Sequence, residues 1–169
     1  SKDGMDCSLI LLTPRPPLHA GEGGEAPSSL EQSQSRGKSN SPLRHGEGSG
    51  VRCMIANANN PVYIVSGGVL TEIKADRQPV GFSYNPKPFT VQEVELQRGD
   101  MIYLLSDGYE DQMGGEKEKK FKSKQLRELL VSIAGQPVEM QKNILEKTFD
   151  EWKGKLEQVD DICIIGVRV

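Results

Sequence analysis

Histidine is almost absent from the chain, which has only His19 and His45 among its 169 residues. Both lie in a stretch rich in Gly, Pro and Ser, so the segments that can form a core contain none. This excludes Ser-His-Asp and Cys-His catalysis and histidine-ligated metal sites from those segments. Any catalysis there must depend on carboxylates, backbone groups, lysines, arginines or a bound metal ion.

Other scarce features exclude further classes of protein. The three cysteines, Cys7, Cys53 and Cys163, are too few and too scattered for a disulfide framework or a zinc site. Their apolar surroundings predict reduced, buried thiols in a cytoplasmic protein. No apolar run approaches the roughly 20 residues of a transmembrane helix, so we predict no membrane contact from this segment. A net charge of -3 and the lack of a basic stripe argue against nucleic-acid binding.

Residues 13–50 differ in composition from the rest of the chain. They contain five of its ten prolines and almost no large apolar residues, so we predict a disordered, low-complexity insert. Residues 17–23 and 42–48 resemble each other, which suggests translated repetitive DNA or, alternatively, a linear docking motif. The chain begins at Ser1, without Met and within a predicted element, so we expect an N-terminally truncated fragment.

Two short acidic segments carry most of the functional information. Ser106-Asp107-Gly108 follows an apolar run at 101–105, and Asp160-Asp161 precedes another at 162–167. Each segment places a carboxylate at the end of a predicted buried strand. If the strands are neighbours, Asp107 and Asp160 meet at one spot, and such oxygen ligands suit Mg²⁺ or Mn²⁺. The alternative is that Asp-Gly forms only a turn and Asp-Asp only a solvated loop.

The remaining pattern predicts one mixed α and β domain, whose main body is 51–169. We predict a strand within 1–12 that pairs with 51–58 across the insert. Further strands are predicted at 61–65, 69–74, 89–96, 101–106 and 162–169.

Two helices are predicted between the acidic segments. The first carries apolar residues at helical spacing and ends at Gly135, and the second begins near Pro137. The apolar positions are Leu126, Leu129, Leu130 and Ile133 in the first helix, and Met140, Ile144, Leu145, Phe149 and Trp152 in the second. The Lys-rich stretch 116–124 is interpreted as a solvated lead-in, with phosphate binding as the alternative.

The order of these motifs resembles a known family. The motifs are Ala56-Asn57-Ala58-Asn59-Asn60-Pro61, Pro79-Val80-Gly81, the segment 98–108 that ends in Ser106-Asp107-Gly108, and Gln158-Val159-Asp160-Asp161-Ile162. This pattern is similar to the C-terminal part of the catalytic domain of bacterial PPM-type serine/threonine phosphatases. In particular, it resembles the stage II sporulation protein E-like group, which includes regulators of anti-sigma-factor antagonists. The resemblance covers 51–169 and extends to 2–11.

The resemblance implies an α+β fold, an antiparallel β-sandwich flanked by helices. It implies two Mg²⁺ or Mn²⁺ ions that activate a water for attack on phosphoserine or phosphothreonine. Asp107 and Asp160 correspond to metal ligands, and Asp161 to a ligand, a water-orienting group or a strand cap. Gly108 is expected to allow a tight turn beside the metals. The implied partners are a phosphoprotein substrate, such as an anti-sigma-factor antagonist, and an upstream sensor domain.

One motif of the family is missing from the sequence. The motif Asp-x-x-Gly-His-Gly supplies an aspartate that bridges the two metals, and it should lie before Ser1. We therefore expect weak or single-metal binding and little or no turnover from this chain alone. Asn59-Asn60-Pro61 stands where many relatives have Gly-His-Pro, and we expect Asn60 to cap that turn. The alternative function is a non-catalytic remnant or interaction module that binds a signalling partner.

Overall fold

The computed structural model of the chain describes residues 8–14, 51–82 and 84–169. In chain order, the elements within these ranges are β1 (Ser8–Pro14), β2 (Val51–Asn57), β3 (Val62–Ser66), β4 (Val69–Ile73), β5 (Gln92–Leu96), β6 (Met101–Leu105), α1 (Gly108–Asp111), β7 (Met113–Gly114), β8 (Lys119–Lys120), α2 (Ser123–Ile133), α3 (Val138–Lys153) and β9 (Ile164–Arg168).

The strands form two antiparallel sheets and a short hairpin. One sheet has the order β1-β2-β5, the other has the order β4-β3-β6-β9, and β7 pairs with β8. Pro14 lies opposite Val51, which confirms the predicted pairing of the first two strands across the insert. Because Thr13 and Pro14 belong to β1, the predicted start of the insert at residue 13 is wrong by two residues. Residues 15–50, and with them the prediction of disorder, lie outside the described residues.

The two larger sheets pack face to face around an apolar core. This packing explains why β3 is apolar at successive positions: Val62 and Ile64 face the other sheet, and Tyr63 and Val65 face the helices. A strand buried on both faces loses the alternation of a half-buried strand. The buried residues between the sheets are Cys53, Ile55, Val62, Ile64, Ile73, Leu96 and Ile102.

Helices α2 and α3 cover the outer face of the four-stranded sheet. They enclose a second apolar core together with the outward-facing residues of β3 and β6. The predicted α+β sandwich with flanking helices is therefore confirmed. In the part of the chain that the structure describes, no helix is both long enough and apolar enough to cross a membrane. The buried residues of the second core include Tyr63, Met101, Tyr103, Tyr109, Phe121, Leu126, Leu130, Ile133, Leu145 and Phe149.

The apolar face of α3 differs from the prediction in one place. Met140 is 49% exposed, whereas Gln141 is only 3% exposed and belongs to the buried face. The reason is a hydrogen bond of 2.7 Å from the Tyr103 hydroxyl to Gln141 Oε1, which lets a polar side chain occupy an interior position. The Lys-rich stretch is also more ordered than predicted, because it contains β8 and the start of α2. The single turn α1 was not predicted.

Candidate metal centre at the ends of two neighbouring strands

The two acidic segments lie side by side because β6 and β9 are paired. The pairing is antiparallel, with Leu105 opposite Ile164, so the end of β6 meets the start of β9. One further backbone hydrogen bond of 3.0 Å, from Ser106 N to Cys163 O, extends the ladder toward the aspartates. The predicted neighbourhood of the two strands is thereby confirmed, whereas the role of the aspartates as ligands stays a prediction.

Ser106 links the two segments through its side chain. Its hydroxyl donates a hydrogen bond of 2.9 Å to the carbonyl oxygen of Asp161 and accepts one of 2.9 Å from Cys163 N. The hydroxyl therefore satisfies one acceptor and one donor on the approach to β9. Both bonds join residues more than fifty positions apart in sequence, so Ser106 fixes the two acidic segments relative to each other.

Gly108 is needed because its backbone touches Asp161. A Cβ atom at this position would overlap the Asp161 carbonyl oxygen and lie 3.1 Å from Ile162 Cγ1. Gly108 is the first residue of α1 and does not have a positive φ angle. The expected role of Gly108 in a tight turn is thus wrong in its reason: glycine permits a close approach of two chain segments, not a left-handed turn. Asp-Gly here starts a helix.

Asp107 is held at the start of α1, and α1 is anchored in the core. Asp107 is the N-cap residue, its side chain forms no capping hydrogen bond, and the residue is exposed. The next residue but one, Tyr109, is 2% exposed and donates a hydrogen bond of 3.0 Å to Leu145 O. Burial raises the pKa of Tyr109 above its ordinary value, so its hydroxyl keeps the proton that it donates. The tyrosine therefore fixes the helix from which the Asp107 carboxylate projects.

Asp160 and Asp161 lie on the exposed segment that leads into β9. Asp160 Oδ1 accepts a hydrogen bond of 2.7 Å from Asp161 N, and Asp160 O accepts one of 2.8 Å from Gln158 Nε2. Both aspartates are exposed. Within the described residues, no lysine or arginine forms an ion pair with Asp107, Asp160 or Asp161. Three carboxylates without a cationic partner thus lie on two adjoining segments.

The donor chemistry fits a hard divalent cation in part. Carboxylate oxygens are the ligands that Mg²⁺ and Mn²⁺ prefer. However, across residues 8–14, 51–82 and 84–169 no three Asp, Glu, His or Cys side chains form a group that could hold a metal ion. The described residues therefore form no complete metal site, and the assignment of Asp107 and Asp160 as ligands stays a prediction.

A turn at 57–61 lies at the same edge of the four-stranded sheet, since Val62 is paired with Leu104. Its closure comes from Asn57, whose Nδ2 donates to Asn60 O at 2.9 Å and to Ile73 O at 3.2 Å. Asn60 takes part through its backbone, so the expectation that the Asn60 side chain caps the turn is wrong. The buried amide of Asn57 has this role instead.

Two residues of this region were missed by sequence reasoning. Ser106 was noted only as the neighbour of Asp107, although its position directly after an apolar strand was a usable signal. Gln112, a buried glutamine that contacts the segment before Asp160, had no signal, because its partners lie 45 and 47 positions away.

Comparison with known proteins identifies what the chain is similar to. Residues 47–169 match the family model described as "Stage II sporulation protein E (SpoIIE)". The SiaA-PP2C domain of Pseudomonas aeruginosa is 28% identical, with a TM-score of 0.62 over 71% of this chain and 51% of that one. A Bacillus subtilis structure, containing the PP2C phosphatase domain and a regulatory-domain fragment of the cell fate determinant SpoIIE, is 18% identical, with a TM-score of 0.57 over 71% of this chain and 36% of that one.

The matches cover only part of the proteins that the chain resembles. The chain spans about half the length of the Pseudomonas domain that it resembles. The Bacillus structure, at its lower identity, supports the fold alone. No curated protein sequence matches the chain significantly.

Proposed function

Because the chain belongs to the stage II sporulation protein E family of PPM-type phosphatase domains, we propose that it takes part in metal-dependent hydrolysis of phosphoserine or phosphothreonine on a regulatory protein. The observation that carries the proposal is the hydroxyl of Ser106, which joins the segment of Asp107 to that of Asp161. Two acidic motifs could lie anywhere on a fold, but here the pairing of β6 and β9 brings both acidic segments to one edge of the sheet.

Asp107 and Asp160 are the proposed ligands of Mg²⁺ or Mn²⁺. Asp107 projects from the start of α1, and Asp160 lies one residue before the carbonyl that Ser106 binds. Asp161 is the third candidate, as a ligand, a water-orienting group or a strand cap. Divalent cations held at such a site neutralise phosphoryl oxygens and lower the pKa of a bound water.

The chain's own residues contribute positioning. The paired strands and the Ser106 hydroxyl hold the two acidic segments next to each other, and such preorganisation reduces the reorganisation that a reaction needs. No histidine base is required for this arrangement. The substrate is proposed to be a phosphoprotein, such as an anti-sigma-factor antagonist, in the cytoplasm. Further metal ligands are proposed to come from outside the described residues.

A second candidate function is a non-catalytic module that binds a signalling partner. One observation favours it: no group of three metal-binding side chains exists in the described parts of the chain. A fold that keeps Asp107 and Asp160 but lacks a bridging carboxylate would bind metal weakly and still present the same surface to a partner.

Titration of Mn²⁺ into the chain tests the ligand assignment. We expect Asp107→Asn and Asp160→Asn each to weaken Mn²⁺ binding by about tenfold or more, since each removes one charged oxygen ligand. Asp161→Asn should have a smaller effect. The matched control is Asp150→Asn, an exposed aspartate on α3 whose side chain lies 3.9 Å from Lys153. Unchanged affinity in both ligand variants, or equal loss in the control, contradicts the assignment.

In an active form of the enzyme, the same two variants should nearly abolish phosphate release while the fold survives. Asp161→Asn should be milder, and a loss equal to that of Asp160→Asn would identify Asp161 as a true ligand.

A further inference from the structure

We propose that Gln112 is a positioning residue that sets Asp160 relative to Asp107. The inference rests on the proposed function, in which those two aspartates hold the metal. Asp107 and Gln112 are the two cap residues of α1, so a single helical turn separates them. The C-terminal end of this short helix therefore carries a side chain that can contact the segment leading to Asp160.

The amide of Gln112 binds the backbone of the segment that leads to Asp160. Its Nε2 donates to Glu157 O at 2.9 Å and to Met113 O at 3.0 Å. Its Oε1 accepts a hydrogen bond of 3.1 Å from Val159 N. Gln112 is completely buried. A buried amide with its donor and acceptor groups paired is held in one orientation, because any other orientation leaves polar groups unsatisfied.

The backbone of Gln112 is fixed as firmly as its side chain. Its carbonyl oxygen accepts hydrogen bonds of 3.0 Å from Trp152 Nε1 and of 3.0 Å from Phe121 N. Trp152 lies in the last turn of α3, and Phe121 directly follows β8. Gln112 thus joins the end of α3, the short hairpin and α1 to the segment before β9.

The side chains of the segment that Gln112 binds are not buried. Residues 157–161 are all exposed, and Val159 is 60% exposed. Hydrogen bonds must therefore hold it: Gln112 binds it before Asp160, and the Ser106 hydroxyl binds it at Asp161 O. Asp160 lies between these two attachment points. Loss of the first would leave Asp160 on a segment that is attached at one end only.

An isosteric substitution separates positioning from general stability. Gln112→Met keeps the volume of the side chain and removes its hydrogen bonds. The matched control is Gln141→Met, because Gln141 is also buried and its amide bonds to Tyr103 Oη, Ala134 O and Gln136 O. None of those partners belongs to either acidic segment.

The first readout is amide hydrogen exchange of the metal-free chain. We expect Gln112→Met to accelerate exchange at Val159 N and Asp161 N by about tenfold or more beyond any change in global stability. Gln141→Met should change these two amides only as far as global stability changes. Equal acceleration in both variants, or none in Gln112→Met, would overturn the proposal.

One further measurement keeps the test decisive even if Gln112→Met does not fold. In the unmodified chain, exchange at the Val159 amide should be slowed about a hundredfold by its bond to Gln112. An unprotected Val159 amide would contradict the proposal without any variant.

Mn²⁺ affinity distinguishes this inference from the proposed function. If both hold, Gln112→Met weakens Mn²⁺ binding and Gln141→Met does not. If the unmodified chain shows no Mn²⁺ binding that depends on Asp107, the metal site fails as a proposal, while the exchange result still decides whether Gln112 holds the segment. If exchange accelerates but Mn²⁺ affinity is unchanged, Gln112 orders the segment without positioning Asp160, and the inference is wrong.

Discussion

Replacement of Ser106 tests the link between the two acidic segments. Ser106→Ala removes the hydroxyl that binds Asp161 O and Cys163 N. Because water can reach this site, we expect a loss of only about 1 kcal/mol in the free energy of unfolding. Mn²⁺ affinity should fall more clearly, since Asp161 and its neighbour lose one attachment. Urea unfolding and Mn²⁺ titration measure the two effects. Because Ser106→Thr keeps the hydroxyl, its stability and its Mn²⁺ affinity should match those of the unmodified chain. A Thr variant as impaired as the Ala variant would contradict this role.

Gly108 tests the close approach of the two acidic segments. Gly108→Ala places a methyl group against the Asp161 carbonyl, so the segments must move apart. We expect a loss of about 1–3 kcal/mol in the free energy of unfolding, as in other overpacked sites. Gly135→Ala is the matched control, because a Cβ there meets no atom within 4 Å. Its effect should stay within about 0.5 kcal/mol. Urea unfolding of both variants measures the difference, and equal stability would show that the contact is not tight.

Individual residues differ in how far the sequence predicts them. Asp107 and Asp160 could be placed at one edge, because each adjoins an apolar run and strand ends of paired strands meet. Gln112 could not, because a polar residue after a short helix is ordinarily exposed. What buries it are partners from three distant segments, and such contacts leave no periodic trace in the sequence.

The strands were predicted more accurately than the buried face of helix α3 and the short helix α1. The apolar run at 101–105 indicated a buried strand, and the packing of β6 between a sheet and two helices confirms it. The run at 162–167 indicated the same, but β9 begins at Ile164 and its residues are exposed or partly exposed. The face of α3 was predicted from apolar spacing alone, so Gln141 was missed and Met140 was wrongly placed inside. The helix α1 has four residues, which is too short for a periodic signal.

The attachment of α3 to β6 gives a prediction about pH. Burial raises the pKa of Tyr103 from 10.0 to about 12. Below pH 10 the Tyr103 hydroxyl keeps its proton in both the folded and the unfolded state, so this group does not lower the free energy of unfolding. Between pH 10 and 12 the unfolded state ionises first, and stability falls by at most about 1.4 kcal/mol per pH unit for one such group.

Tyr103→Phe isolates this contribution. The variant should be less stable at pH 8, because Gln141 loses the hydroxyl that binds its Oε1. Its stability should then fall less steeply than that of the unmodified chain between pH 10 and 12, since one titrating group is gone. Urea unfolding at pH 8, 10 and 11 measures both effects. An unchanged slope would mean that ionisation of Tyr103 does not differ between the folded and unfolded states.

At the scale of the whole molecule, the sandwich and its layer of helices follow from the order of apolar runs. The sequence also indicated which two strands carry the acidic segments. What it could not indicate is the close contact between them, because the overlap at Gly108 depends on the exact separation of two chain segments. The candidate ligand set of Asp107, Asp160 and Asp161 rests on the family resemblance, since apolar runs do not show which carboxylates converge in space.

That ligand set determines what the chain can do alone. Asp107, Asp160 and Asp161 are the proposed ligands, but within the described residues no three Asp, Glu, His or Cys side chains form a group that could hold a metal ion. Two cations that share no bridging carboxylate repel each other, so at most one should bind well. We therefore expect little or no Mn²⁺-dependent phosphate release from a phosphoserine peptide, with Asp107→Asn as the control for contaminating activity. Release that disappears in Asp107→Asn would contradict the expectation, and it would mean that the residues of this chain suffice for catalysis.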